Sequence, residues 1–149
     1  MKLLDTFHLI GIKVRTINKD KRAGKDIKSL WERFFDQQLL QLIPNKVNDD
    51  LYNVYTNYAS DHLDWYDCFL GCKVHNIDTI PEGLESITVP AANYKIFTSE
   101  GPLPKVVLDT WEHIWASTIK RAYRADFDLY DEKAKNIENA IVKTYVSLL

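Results

Sequence analysis

Glycine is scarce in this chain, with five in 149 residues and no two close together, so no glycine-rich loop is present to cradle a phosphate. Cysteine is scarcer still. Cys68 and Cys72 stand four apart in a strand-like run, too far along an extended chain to bridge each other, and their spacing matches no zinc-ligand pattern. They read as reduced thiols of a cytoplasmic protein, and neither a metal nor a cofactor is expected. No apolar run reaches membrane-spanning length, and the opening MKLLDTFHLIG lacks the long apolar core of a secretion signal. An excess of positive charge is missing as well: 19 Lys and Arg against 21 Asp and Glu give a net charge of −2. That balance leaves no phosphate-tracking surface, so specific nucleic-acid binding is not expected. Histidines 8, 62, 75 and 113 are scattered, and no Ser or Cys nucleophile has a base at a recognisable spacing.

What the chain does have is aromatic side chains, with four Trp and eight Tyr. Its length suits one domain spanning residues 1–149. Residues 7–17 favour a strand, and 18–24 form a basic loop. A helix follows, with Ile27, Leu30, Trp31, Phe34 and Leu42 on one stripe and Pro44 ending it. Trp31 reads as core. Residues 51–58 and 65–74 form a hairpin. Residues 84–89 and 93–98 are extended, and the run Gly101-Pro102-Leu103-Pro104 introduces a second helix. That helix leads into a strand at 126–130, a polar stretch, and a closing strand at 141–148.

The segment from Trp111 to Glu132 organises the rest. Trp111, Ile114, Trp115, Thr118, Ile119 and Ala122 recur at three- and four-residue steps and so share one helical stripe. After Arg124 the period becomes two: Asp126, Asp128 and Tyr130 face one way, Phe127 and Leu129 the other. If the even face meets the Trp stripe, a carboxylate lies among aromatic rings. The order strand-helix-strand-strand occurs twice, over residues 1–78 and 84–149. Two such units imply a pseudo-two-fold α+β fold: an antiparallel sheet with both helices on one side and a cleft between the halves.

That element order, together with NVYTNYASDHLDWYDCFLGCKV, IPEGLESITVPAANYKIFTSEG, TWEHIWASTIKRAYRADFDLY and the closing apolar strand, resembles the GyrI-like effector-binding domains. These accompany AraC- and MerR-type transcription regulators and also occur free-standing. The resemblance covers nearly the whole chain. It implies a pocket for lipophilic, often cationic, small molecules around a buried acidic residue. The family pattern resembles Phe-Glu-x-Tyr, where this chain has Phe127-Asp128-Leu129-Tyr130. The implied ligand residues are Asp128, Tyr130, Trp111 and Trp115, with Trp65, Tyr66 and Phe69 on the first hairpin and Tyr145 on the last strand. Trp65 and Phe69 share one parity and Tyr66 the other, so only one set can face the cleft.

The leading expectation is a stand-alone binding protein for lipophilic cations. Neither helix follows a partner helix in helix-turn-helix arrangement, so the chain by itself is not expected to read DNA. One alternative is a hydrolase of reactive lipophilic compounds with Asp128 as general base. Another is a protein-interaction module of the gyrase-inhibitor kind, with a protein partner or a second copy of the chain.

Overall fold

Two helices and eight strands accommodate these periodicities in the computed structural model, which describes residues 1–149 throughout. In chain order they are β1 (Lys2–Leu4), β2 (Phe7–Thr16), α1 (Arg22–Asp36), β3 (Leu51–Thr56), β4 (Tyr66–Val74), β5 (Glu85–Val89), β6 (Ala92–Gly101), α2 (Lys105–Ala116), β7 (Ala125–Tyr130) and β8 (Ala140–Ser147). The strands make one sheet in the order β1-β6-β8-β7-β3-β4-β2-β5, every pairing antiparallel. Strands β3 and β7 meet at its centre, with Asn53 opposite Asp128 and Tyr55 opposite Asp126. The edge strands are exchanged between the halves: β1 pairs with β6, and β5 with β2. Strand β1 is only three residues long, too short for a period to show in the sequence; pairing with Ala92–Tyr94 makes it a strand.

Both helices pack on the same sheet face. Leu30 and Phe34 of α1 cover Ile10, Ile12, Cys68, Leu70 and Cys72. Val107, Trp111 and Ile114 of α2 cover Ala140, Val142 and Val146. The expected α+β arrangement, two helices on one side of an antiparallel sheet, therefore forms. The opposite face has no helix, yet Leu9, Val54, Phe69, Val89, Tyr94 and Phe127 are almost fully buried there. Curling of the sheet buries them. Strands β2 and β7 are three places apart, about 14 Å in a flat sheet, but the Phe7 and Phe127 ring centroids lie 5.6 Å apart. One cause is a facing pair of glycines, Gly11 and Gly71, on the concave face. A Cβ on Gly11 would stand 2.0 Å from the Leu70 carbonyl oxygen, and one on Gly71 would stand 2.2 Å from that of Ile10. Only glycine permits so close an approach and so sharp a bend.

Both helices are displaced from the expected bounds. Helix α1 starts at Arg22, so Gly24 is helical rather than loop, and it ends at Asp36. Gln38 adopts a left-handed backbone, and a 3-10 turn over Leu39–Leu42 follows. That reversal breaks the period: Leu39 and Ile43 are buried, while Leu42 is exposed. Helix α2 ends at Ala116, before Thr118, Ile119 and Ala122. Ser117 is extended and its hydroxyl donates to the Ile114 carbonyl at 2.7 Å, taking up a helix-end acceptor.

Candidate ligand-binding site

The even positions of β7 face the helices. This places Asp126, Asp128 and Tyr130 at the sheet centre, between the strands that α1 covers and those that α2 covers. Both aspartates are completely buried, a position carboxylates occupy only when bonded. Asp128 accepts from the Thr144 hydroxyl at 2.5 Å, from the Tyr55 hydroxyl at 2.6 Å, and from Trp111 Nε1 at 3.1 and 3.2 Å to its two oxygens. Every one of these donors is neutral. Asp126 accepts from the Ser147 backbone and hydroxyl at 2.7 and 2.9 Å, from the Tyr58 hydroxyl at 2.7 Å, and from Arg121 Nη2 at 2.8 Å.

The two carboxylates therefore differ electrostatically. Asp126 has a buried guanidinium; Asp128 is bonded to no cation. Burial pushes the Asp128 carboxyl up to about 6, opposed by the bonds from Thr144, Tyr55 and Trp111 and reinforced by the charge on Asp126. Tyr55 is raised well above its ordinary range, by burial first and Asp128 second, so it remains a donor. Its hydroxyl in turn accepts from Asn53 Nδ2 at 2.9 Å, and Asn53 accepts from the Cys68 thiol at 3.0 Å.

Aromatic rings surround this pair. Tyr55 meets Trp111 edge-on at 5.1 Å and Tyr66 at 6.0 Å; Trp111 lies 6.5 Å from Trp115; Trp31 meets Tyr130 at 4.8 Å. Tyr58 lies 5.8 Å from Tyr66 and 5.4 Å from Tyr123. At the rim His62 stacks on Trp115 at 5.8 Å, its imidazole pKa lowered by burial first and Arg121 second. Tyr55, Tyr58, Tyr123, Tyr130, Trp31, Trp115 and His62 are half-buried, so the cluster reaches solvent.

Among the side chains the sequence singled out, the structure brings together Asp128, Tyr130, Trp111, Trp115 and Tyr66. It places three elsewhere. Phe69 and Tyr145 have the opposite parity and lie on the concave face, Tyr145 stacked on Phe127 at 4.6 Å. Trp65 precedes β4, is 37% exposed, and lines a separate hollow of about 420 Å³ with Ile17, Lys19, Asp20 and Arg22. Trp31, read as core, borders the cluster through Tyr130. Parity alone leaves Tyr55 and Tyr58 of the first hairpin unoriented, and nothing in the sequence pattern points to Tyr123, Thr144 or Arg121. Asp126 was recoverable, since it shares the parity of Asp128. Tyr58 was not, because Asn57 takes a left-handed backbone and returns Tyr58 to the face of Tyr55.

The chain matches, over residues 1–148, the family model described as Cass2, integron-associated effector binding protein. It is 30% identical over 150 residues to YobU of Bacillus subtilis (strain 168), covering 97% of this chain and 94% of that one; YobU is provisionally described as a transcriptional regulator. The crystal structure of the Vibrio cholerae integron cassette protein VCH_CASS2 is similar at 27% identity and a TM-score of 0.76, covering 99% of this chain and 94% of that one. The structure of SAV2435 bound to tetraphenylphosphonium shares the fold, with a TM-score of 0.80 at 20% identity over 99% of this chain and 92% of that one. No helix is long and apolar enough to cross a membrane. The GyrI-like resemblance and the matches agree: the chain belongs to the Cass2 family of integron-associated effector-binding proteins.

Proposed function

We propose that this protein binds lipophilic cations in the groove between α1 and α2, with Asp128 as the charge that selects them. The observation that carries this reading is a fully buried carboxylate bonded only to Tyr55, Trp111 and Thr144. A buried charge without a counter-charge costs several kcal/mol of desolvation. An apolar cation entering the aromatic cluster offsets that cost, and ring faces add roughly 0.5–2 kcal/mol each. A permanent cation without N–H groups needs no free lone pair on Asp128; charge and ring faces suffice. The tetraphenylphosphonium held by the similarly folded SAV2435 supports the ligand class. Hydrolysis is less well supported, because both Asp128 oxygens already accept hydrogen bonds from protein donors.

Isothermal titration with tetraphenylphosphonium and tetraphenylborate, near-isosteric ions of opposite sign, tests the reading. Binding of the phosphonium alone is expected. Equal binding of the two, or none of either, would refute charge selection.

A further inference from the structure

Arg121 stands where a ligand cation would stand. Its guanidinium carbon is 4.3 Å from the centroid of the Tyr123 ring, 5.4 Å from that of Trp111 and 5.9 Å from that of Tyr58. All three lie within the roughly 6 Å over which an aromatic face attracts a cation. Nη2 donates to Asp126 at 2.8 Å and approaches the Tyr58 hydroxyl at 3.4 Å. Carboxylate, three rings and a cation are what an aromatic cage for cations consists of, and here the cation is the protein's own.

The guanidinium is poorly seated. Its Nε and Nη1 are buried without a protein partner, although guanidinium and carboxylate can pair through two parallel bonds. The second Asp126 oxygen is unavailable for such a pairing, because the Ser147 backbone and hydroxyl already occupy it. The unpaired donors carry a desolvation cost that would be recovered in water.

The backbone at this point is fixed: Arg121 bridges to Leu148, Ala122 N–H donates to Ser147 at 2.9 Å, and Leu149 N–H donates to Lys120 at 3.0 Å. The side chain can still leave by rotating its own torsions, and its neighbour Lys120 is exposed.

We propose that Arg121 is an internal stand-in for the ligand, filling the Tyr58–Trp111–Tyr123 cage in the empty protein and displaced when a lipophilic cation enters. This rests on the cation-binding reading above. It adds a specificity rule. A small hydrated cation brings no apolar area to offset the eviction of a guanidinium, whereas a bulky aromatic cation does. The stand-in also keeps Asp126 from being left as a second bare charge.

The test follows the Arg121 Nε–Hε resonance of the intact wild-type protein during titration with tetraphenylphosphonium. In the free protein the three rings should shift Hε upfield by ring currents. At saturation it should move to the position of an exposed arginine. In parallel, Arg121→Met should bind the phosphonium about tenfold more tightly, since no competing state has to be vacated. Binding with Hε still shifted overturns the stand-in and leaves the cation-binding reading intact. Absence of binding by the wild type defeats both. Should Arg121→Met fail to fold, the wild-type resonance decides the matter alone.

Discussion

Trp111 Nε1 donates to both oxygens of Asp128, at 3.1 and 3.2 Å. This bond joins the buried stripe of α2 to the centre of the sheet. It also turns the edge of the indole toward Asp128 while its face looks at Arg121, 5.4 Å away. One side chain thus separates a carboxylate without a counter-ion from a buried cation.

Replacing Asp128 by Asn deletes the charge and nearly preserves the shape, and the Tyr55 and Thr144 hydroxyls can rotate to accept from the new amide. Cation affinity should fall by roughly 1–3 kcal/mol, the scale of a bond to a charged group. A neutral ligand of equal size should be unaffected. Isothermal titration of both proteins with a matched cationic and neutral pair measures the difference; equal losses would remove Asp128 from the site.

Cation binding should strengthen between pH 5 and 7, because Asp128 ionises only as pH passes about 6 in the empty protein. The same shift governs stability in the reverse sense. The folded carboxyl keeps its proton to about 6, whereas the ordinary value is 3.8. The stability contributed by this group is therefore complete below pH 3.8 and is lost as pH rises through about 6. Melting curves should show Asp128→Asn gaining on the wild type from pH 4 to 7; parallel curves would contradict the shift.

Tyr55→Phe removes the 2.6 Å bond to Asp128, one of those that hold its pKa down. The midpoint of the pH dependence for cation binding should rise above that of the wild type. The protein should lose about 1–3 kcal/mol for the acceptor left short on Asp128 and the amide donor left unpaired on Asn53. A pH series of titrations reads the midpoint, and denaturant melts read the loss.

Phe69 lies on the concave face and is fully buried. Phe69→Ala should cost about 3–5 kcal/mol of stability without changing the preference for cationic over neutral ligands. Thermal melting together with the paired titration separates the two effects; a lost preference would place the ligand inside the curl of the sheet.

Alternation in Asp126-Phe127-Asp128-Leu129-Tyr130 was enough to put both aspartates and Tyr130 on one face, and the three- and four-residue steps from Trp111 to Trp115 were enough for the buried stripe of α2. The element order and local patterns sufficed for the family. Parity is a relative property, however: it says which residues share a face, not which face meets the helices. Pairing across the whole sheet decided that Tyr66 joins the carboxylates while Phe69 and Tyr145 fill the curl. Single backbone reversals, invisible to periodicity, decided the rest. Asn57 returns Tyr58 to the face of Tyr55, and Gln38 ends the stripe before Leu42. Arg121 belongs to the site only because Ser117 stops α2 nearly two turns before Ala122 and the end of β8 captures the chain beyond it. That capture is a contact between residues far apart in sequence, and such contacts leave no mark on local pattern.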